Sequence, residues 1–215
     1  MKLKIIICFL LFLIVPLFLI SFGCGSSTTT TSTTTTLLTG NRDYYPNRDG
    51  NSWAYRKVTT MNTTTDVTTI NSVLTFNGVA TIDSITVQKL KIESFSGTYS
   101  STRDAYQTVS DSYVKNYGDQ YHPTTEADTY LVFPLTIGAG WTISGTKTAT
   151  VAAVESVTVP AGSYSSCFRV HMIFPPNATT DIWLAKNVGM VKSEAISING
   201  TDSTITTTEL TGINF

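Results

Sequence analysis

The chain has 215 residues, with 14 Lys and Arg against 15 Asp and Glu, a formal charge of −1, and charged residues make up only 13% of it. That balance leaves no basic footprint for nucleic acid or for an anionic membrane surface. The three cysteines stand at positions 8, 24 and 167; with the first two assigned to the leader and its exit, as read below, Cys167 is left without a disulfide partner.

The chain opens Met1-Lys2-Leu3-Lys4, followed by an apolar run from Ile5 to Ile20 and then Ser21-Phe22-Gly23-Cys24. A basic start, an apolar stretch and a small-residue exit are the parts of a secretory signal. Cys24 directly after Gly23 resembles the cleavage site of bacterial lipoproteins, where the cysteine becomes the lipidated first residue. Residues 1–23 are therefore read as a signal peptide, with a cleaved signal without lipid or an uncleaved anchor as the alternatives, and Cys24 as the lipidation site. Removing Lys2 and Lys4 from the fourteen bases leaves twelve against fifteen acids, a charge of −3. Gly25 stands where an aspartate resembles an inner-membrane retention signal, so the expected address is the outer membrane of a bacterial envelope, facing the periplasm or the surface.

Ser26 to Thr36 is an unbroken Ser/Thr tract. It has no hydrophobe with which to offset the entropy of ordering. Residues 24–40 are read as a tether, with a reach on the order of 20 Å for roughly 16 flexible residues. Residues 41–215 then form one domain.

In that domain the pattern is β almost throughout. Ser52-Trp53-Ala54-Tyr55-Arg56, Lys89-Leu90-Lys91-Ile92-Glu93 and Phe168-Arg169-Val170-His171-Met172 alternate large apolar with small or charged residues. Period-2 alternation marks strands with one face on a core. Asn77-Gly78 and Asn199-Gly200 suit type I′ hairpin turns, and Pro160-Ala161-Gly162 marks another reversal. Short helical turns are allowed near Thr102–Tyr106 and Thr124–Asp128. The fold class is all-β, with minor helix at most. A single antiparallel curved sheet is expected, as a half-barrel, a barrel or a sandwich.

Pro46-x-x-x-Gly50-x-x-Trp53 recurs 88 residues later as Pro134-x-x-x-Gly138-x-x-Trp141. Lys115-Asn116-Tyr117-Gly118 is echoed by Lys186-Asn187-Val188-Gly189. The echo raises an internal duplication, in which Trp53 and Trp141 hold equivalent core positions at strand starts.

Three stretches carry a resemblance to a family of bacterial lipoproteins without an assigned activity. They are Tyr45-Pro46-x-x-x-Gly50-Asn51-Ser52-Trp53-x-Tyr55, Phe133-Pro134-Leu135-x-x-Gly138-x-x-Trp141, and Val159-Pro160-Ala161-Gly162-x-Tyr164-x-x-Cys167 followed by Trp183-x-Ala185 and Val188-Gly189-Met190-Val191-Lys192. By distant analogy, the periplasmic lipoprotein carriers are half-barrels that hold an apolar ligand.

Catalytic and metal chemistry have little support. No Gly-x-Ser-x-Gly elbow is present. His171 near Ser163, Ser165 and Ser166 has no triad spacing, and His122, Glu126, Asp128 and Asp119 match no ligand pattern. No catalytic residue, metal or cofactor is assigned, and a hydrolase remains a remote alternative. Cys167 is read as buried and unreactive. Because alternation places it opposite Phe168, burial requires a covered second face or a bulge near Ser166. Trp53, Tyr55, Trp141 and Trp183 are the candidate ligand-binding residues, as the lining of an apolar pocket. The functional expectation is an envelope-anchored, non-catalytic binder of an apolar small molecule or a protein partner, attached to the membrane through its lipid. The alternative is a structural or surface-interaction module without a pocket.

Overall fold

The computed structural model describes residues 40–215 and the backbone of Leu19–Ile20. Cys24, most of the leader and the tether lie outside the described residues. The strands are β1 (Leu19–Ile20), β2 (Ser52–Met61), β3 (Val67–Ile82), β4 (Ile85–Ser96), β5 (Tyr99–Val109), β6 (Tyr113–Asp119), β7 (His122–Val132), β8 (Gly140–Ser144), β9 (Lys147–Val159), β10 (Gly162–Phe174), β11 (Ala178–Ala185), β12 (Val188–Asn199) and β13 (Asp202–Asn214). They form one antiparallel sheet in the order β7-β6-β5-β4-β3-β2-β13-β12-β11-β10-β9-β8, with β1 beside the start of β12. The sheet curls into a nearly closed barrel.

Each hairpin joins sequence neighbours, so the meander runs from β2 to β7 and again from β8 to β13. The first and last strands of the domain then pair, from Thr204 opposite Met61 to Asn214 opposite Ser52. The edges β7 and β8 face each other across a seam. Trp141 Nε1 donates to Thr129 O at 3.1 Å, and Lys147 reaches Asp128 at 3.3 Å.

The repeat is visible in backbone hydrogen bonds. Gly50 N donates to Phe76 O and Gly138 N to Val151 O, both at 2.9 Å. Phe76 N returns to Asn51 O, and Val151 N to Ala139 O. Asn51 N donates to Arg48 O as Ala139 N does to Thr136 O. The two glycines hold φ of 84° and 86°, the left-handed region that side chains disfavour. Thus β2–β7 and β8–β13 are two six-strand halves opened by the same turn. Trp53 is 1% exposed, while Trp141 is half-buried against the core at the seam. The second echo is not equivalent: Lys115–Gly118 lies within β6, whereas Lys186-Asn187 is the β11–β12 turn and Val188-Gly189 opens β12.

Several local expectations change. Thr102–Tyr106 and Thr124–Asp128 are strand residues of β5 and β7, because hairpin pairing outweighs weak local helix preference. The described helix is the short 3₁₀ turn Arg42–Tyr44. Asn77-Gly78 is a bulge inside β3, between Phe76 and Val79. The reversal falls instead at Asp83-Ser84, both with positive φ, the type I′ requirement. After Asn199 the turn is Gly200-Thr201, and only its first residue has positive φ, the type II′ pattern.

Nothing lies within 4 Å of a Cβ built on Gly50 or Gly138, so alanine there meets only the backbone penalty. Gly50→Ala and Gly138→Ala should each cost about 1–2 kcal/mol in urea unfolding, with asparagine less costly at both. Unequal losses, one negligible and the other large, would break the equivalence of the two opening turns.

Candidate functional site

Along β2 the inward positions are Trp53, Tyr55, Lys57, Thr59 and Met61, by alternation. The first two are 1% exposed. The next two are half-buried, and Met61 is 43% exposed. The same change occurs on other strands of the sheet. On β4 it runs from Leu90 and Ile92 to Ser94 and Ser96, and on β5 from Gln107 and Ala105 to Arg103 and Ser101. On β13 it runs from Leu210 to Thr208, Thr206 and Thr204. One half of the inner face is therefore a sealed core, and the other, polar and partly accessible, is called the cup below.

The chain before β2 stoppers the core end. Tyr45, 0% exposed, donates its hydroxyl to Gln107 Oε1 at 2.8 Å, and Gln107 donates to Asn116 at 2.9 Å. Tyr44 packs edge-on to Phe168. Asp43 O accepts from Asn187 N, and Gly40 pairs with Leu135. Asn47 and Gln88 exchange two hydrogen bonds on the opposite wall. The strap thus ties both halves together at the end where the chain enters.

The cup is lined by hydroxyls and two cations. Ser72 meets Ser94 at 3.1 Å and Thr59 meets Thr206 at 3.1 Å. Lys57 lies between Thr208 and Ile70 in register. Burial, then the charge of Arg103, lowers its pKa. Arg103 pairs with Asp119 at 3.1 Å. Asp119 Oδ1 also accepts from Tyr121 N and His122 N, holding the β6–β7 turn.

The four aromatics expected as pocket lining do not face one space. Trp53 and Tyr55 are core, and the Tyr55 hydroxyl donates to Met190 O at 2.8 Å. Trp141 closes the seam. Trp183 stands on the outer wall, where its Nε1 donates to Glu155 and Lys192 lies 4.9 Å from its ring centroid. That outer row continues through Arg169, near Glu155 and Asp181, and His171, 3.2 Å from Asp181. His171 is five residues from Ser166 and eight from Ser163 on one strand, about 16 Å and 26 Å at strand rise, so they form no triad. Among the described residues no three His, Cys, Asp or Glu gather as a metal site; Glu126 is exposed and Asp128 is held by Lys147. A shallow outer groove of about 500 Å³ runs between Ala80–Asp83, Tyr106 and Pro123–Thr125, away from the four aromatics.

Cys167 is 0% exposed. The bulge expected near Ser166 is present: register shifts between Tyr164 and Cys167, and Ser166 has φ of 56°. Cys167 and Phe168 are thereby both buried. Desolvation, with Glu155 adding to it, pushes the thiol up to about 12. Burial also raises Tyr45, Tyr55 and Tyr130 above the usual phenol value. The Tyr130 hydroxyl has no hydrogen-bond partner among the described residues.

Comparison with known proteins gives three findings. A family model described as DUF3108-like matches residues 142–210, most of the second half. The chain is similar to a crystal structure of a candidate exported protein with a YmcC-like fold from Bacteroides fragilis, at 15% identity and a TM-score of 0.44, covering 79% of this chain and 98% of that one. It is also similar to a candidate lipoprotein from Parabacteroides distasonis, at 14% identity and a TM-score of 0.37, covering 80% and 98%. No curated protein matches the sequence.

With Cys8 and Cys24 replaced by serine, Cys167 should resist a thiol reagent at pH 8 in the native state and react on unfolding. Rapid native labelling would contradict the burial. Tyr130→Phe should leave stability unchanged or raise it, since an unpartnered buried hydroxyl is removed. Tyr45→Phe should cost about 1 kcal/mol or more by stranding Gln107. Thermal unfolding of both variants checks the contrast.

Proposed function

We propose that the protein is a non-catalytic envelope lipoprotein that binds a ligand in the cup opposite its stoppered end. The observation that carries this reading is the change of inner face between Tyr55 and Lys57. A strand that continues its ladder while its inward side chains become polar and accessible leaves a lined concavity. The leader and Cys24 support the envelope address. The chain enters the domain at the stoppered end, opposite the cup. The sealed half is filled by its own aromatics, which favours a polar ligand in the cup over an apolar one in the core.

A second reading, a surface-interaction module for an envelope protein, rests on the outer rim. Ile173, Ile198 and Ile205 are 43%, 50% and 41% exposed there, and exposed apolar surface can mark a partner site.

Two measurements test the proposal. Cys24→Ser should abolish acyl labelling and release the protein from membranes; retained acylation would refute the anchor. Native mass spectrometry of the full chain should show a co-purified small molecule that Ser94→Trp expels. Insensitivity of that ligand to Ser94→Trp, or partner capture lost only in Ile198→Asp or Ile205→Asp, would move the function to the outer wall.

A further inference from the structure

The charges around the cup are unevenly matched. Asp119 is held by Arg103 at 3.1 Å, with His122 Nδ1 at 3.8 Å. Asp128 is held by Lys147 at 3.3 Å. Lys57 faces the same interior from β2 and joins none of the ion pairs among the described residues. The charge acting on it is the like charge of Arg103, which reaches inward from β5, three strands away in the sheet. Arg103 lies in the row of Ile92, Leu74 and Trp53, and Lys57 two inward positions further along β2, so the two cations face one interior from different strands.

A half-buried ammonium that shares its interior with a guanidinium is disfavoured by both lost hydration and repulsion. A carboxylate on the sheet would relieve it, yet the in-register neighbours of Lys57 are Thr208 and Ile70. One row nearer the core are Ser72 and Tyr55. The Tyr55 hydroxyl is committed to Met190 O, which leaves those of Thr208 and Ser72; hydroxyl donors near an unmatched ammonium suit an oxyanion, and charge-assisted hydrogen bonds are the strong ones. Ile70 and the edge of the sealed core supply carbon surface for the rest of an organic molecule.

Resting on the cup reading above, we infer that Lys57, with Arg103 and the hydroxyls of Thr208 and Ser72, is an anion subsite that takes the carboxylate or phosphate of a small organic ligand. Arg103 keeps Asp119 as its own partner and contributes charge across the cup, while Lys57 makes the direct contact. This role also accounts for a lysine at a position whose neighbours on the same face are otherwise hydroxyl or apolar.

The test uses the full chain in detergent micelles with three probes on one three-carbon skeleton: glycerol 3-phosphate, glycerate and glycerol. With lysines reductively ¹³C-methylated, both anions should shift the Lys57 methyl signal and glycerol should not. In calorimetry of unmodified protein, Lys57→Met should weaken the anions about 10-fold or more, the loss of a hydrogen bond to a charged group. Lys57→Arg should restore binding to within about 3-fold. Protection of Lys57 from acetylation by glycerol 3-phosphate gives the same answer without any variant. Equal binding of glycerol, an unmoved Lys57 signal with both anions, or unchanged affinity in Lys57→Met overturns the subsite. A ligand that Ser94→Trp expels but Lys57→Met retains would overturn the anion assignment while leaving the cup reading intact.

Discussion

The pairing of β13 with β2 is the contact on which the rest of this structure depends. It joins residues about 150 apart in sequence, from Thr204 with Met61 to Asn214 with Ser52, and so closes the longest loop in the domain. Loop closure grows only slowly in cost with length, and the ladder that forms is continuous apart from one shift at Leu210 and Gly212. Once it is made, Leu210 covers Tyr55, and Tyr55 reaches Met190 on β12. The same ladder carries Lys57 and Thr59 past the core edge beside Thr208 and Thr206. Core and cup are therefore consecutive stretches of one strand pair.

The two halves use their equivalent junctions differently. In a six-strand repeat, β7 and β8 occupy the places of β13 and β2. The β13–β2 junction is zipped, while the β7–β8 seam is held by an indole hydrogen bond and an ion pair. Two features explain the difference. β8 has five residues against eleven in β7, and β7 departs from regular register near Thr129 and again between Asp128 and Pro123. Bulges bend a strand and end its pairing. A short partner and a bent one cannot share a ladder, so Trp141 commits its indole to the seam while Trp53 is enclosed in the core. The strap from Gly40 to Asn51 compensates below the seam. It adds buried tyrosines and ties β3–β5 to the β11–β12 turn.

Much of the fold was legible in the residues. Leu90 and Ile92, and Phe168, Val170 and Met172, alternate as they should and are buried as that predicts. The conflict at Cys167 was legible too: period 2 could not bury it beside Phe168, and a bulge at Ser166 resolves it. Asn77-Gly78 misled because a left-handed glycine serves a bulge as well as a turn. Trp183 misled because an indole also serves an outer wall when Glu155 and Lys192 cover it. Lys57 and Arg103 carried no signal of their own. In Lys57-Val58-Thr59-Thr60-Met61 both faces are partly polar, so alternation does not say which side is inward. Residue 103 sits in a run of small and polar residues with the same ambiguity.

By itself the sequence determined the class of structure, a β-branched chain with too little helical periodicity to be anything but antiparallel sheet, and the repeated turn that opens each half. Those properties are local: they follow from alternation, from glycine at positive φ and from the sterics of branched side chains. Only the tertiary structure decided which inward positions are sealed and which are wet, and that a lysine on the second strand faces the same interior as an arginine on the fifth. Those facts depend on the curvature of the sheet and on the register between distant strands. Curvature and register are set by the closure of β13 on β2 and by bulges acting together, and no short window of residues contains them.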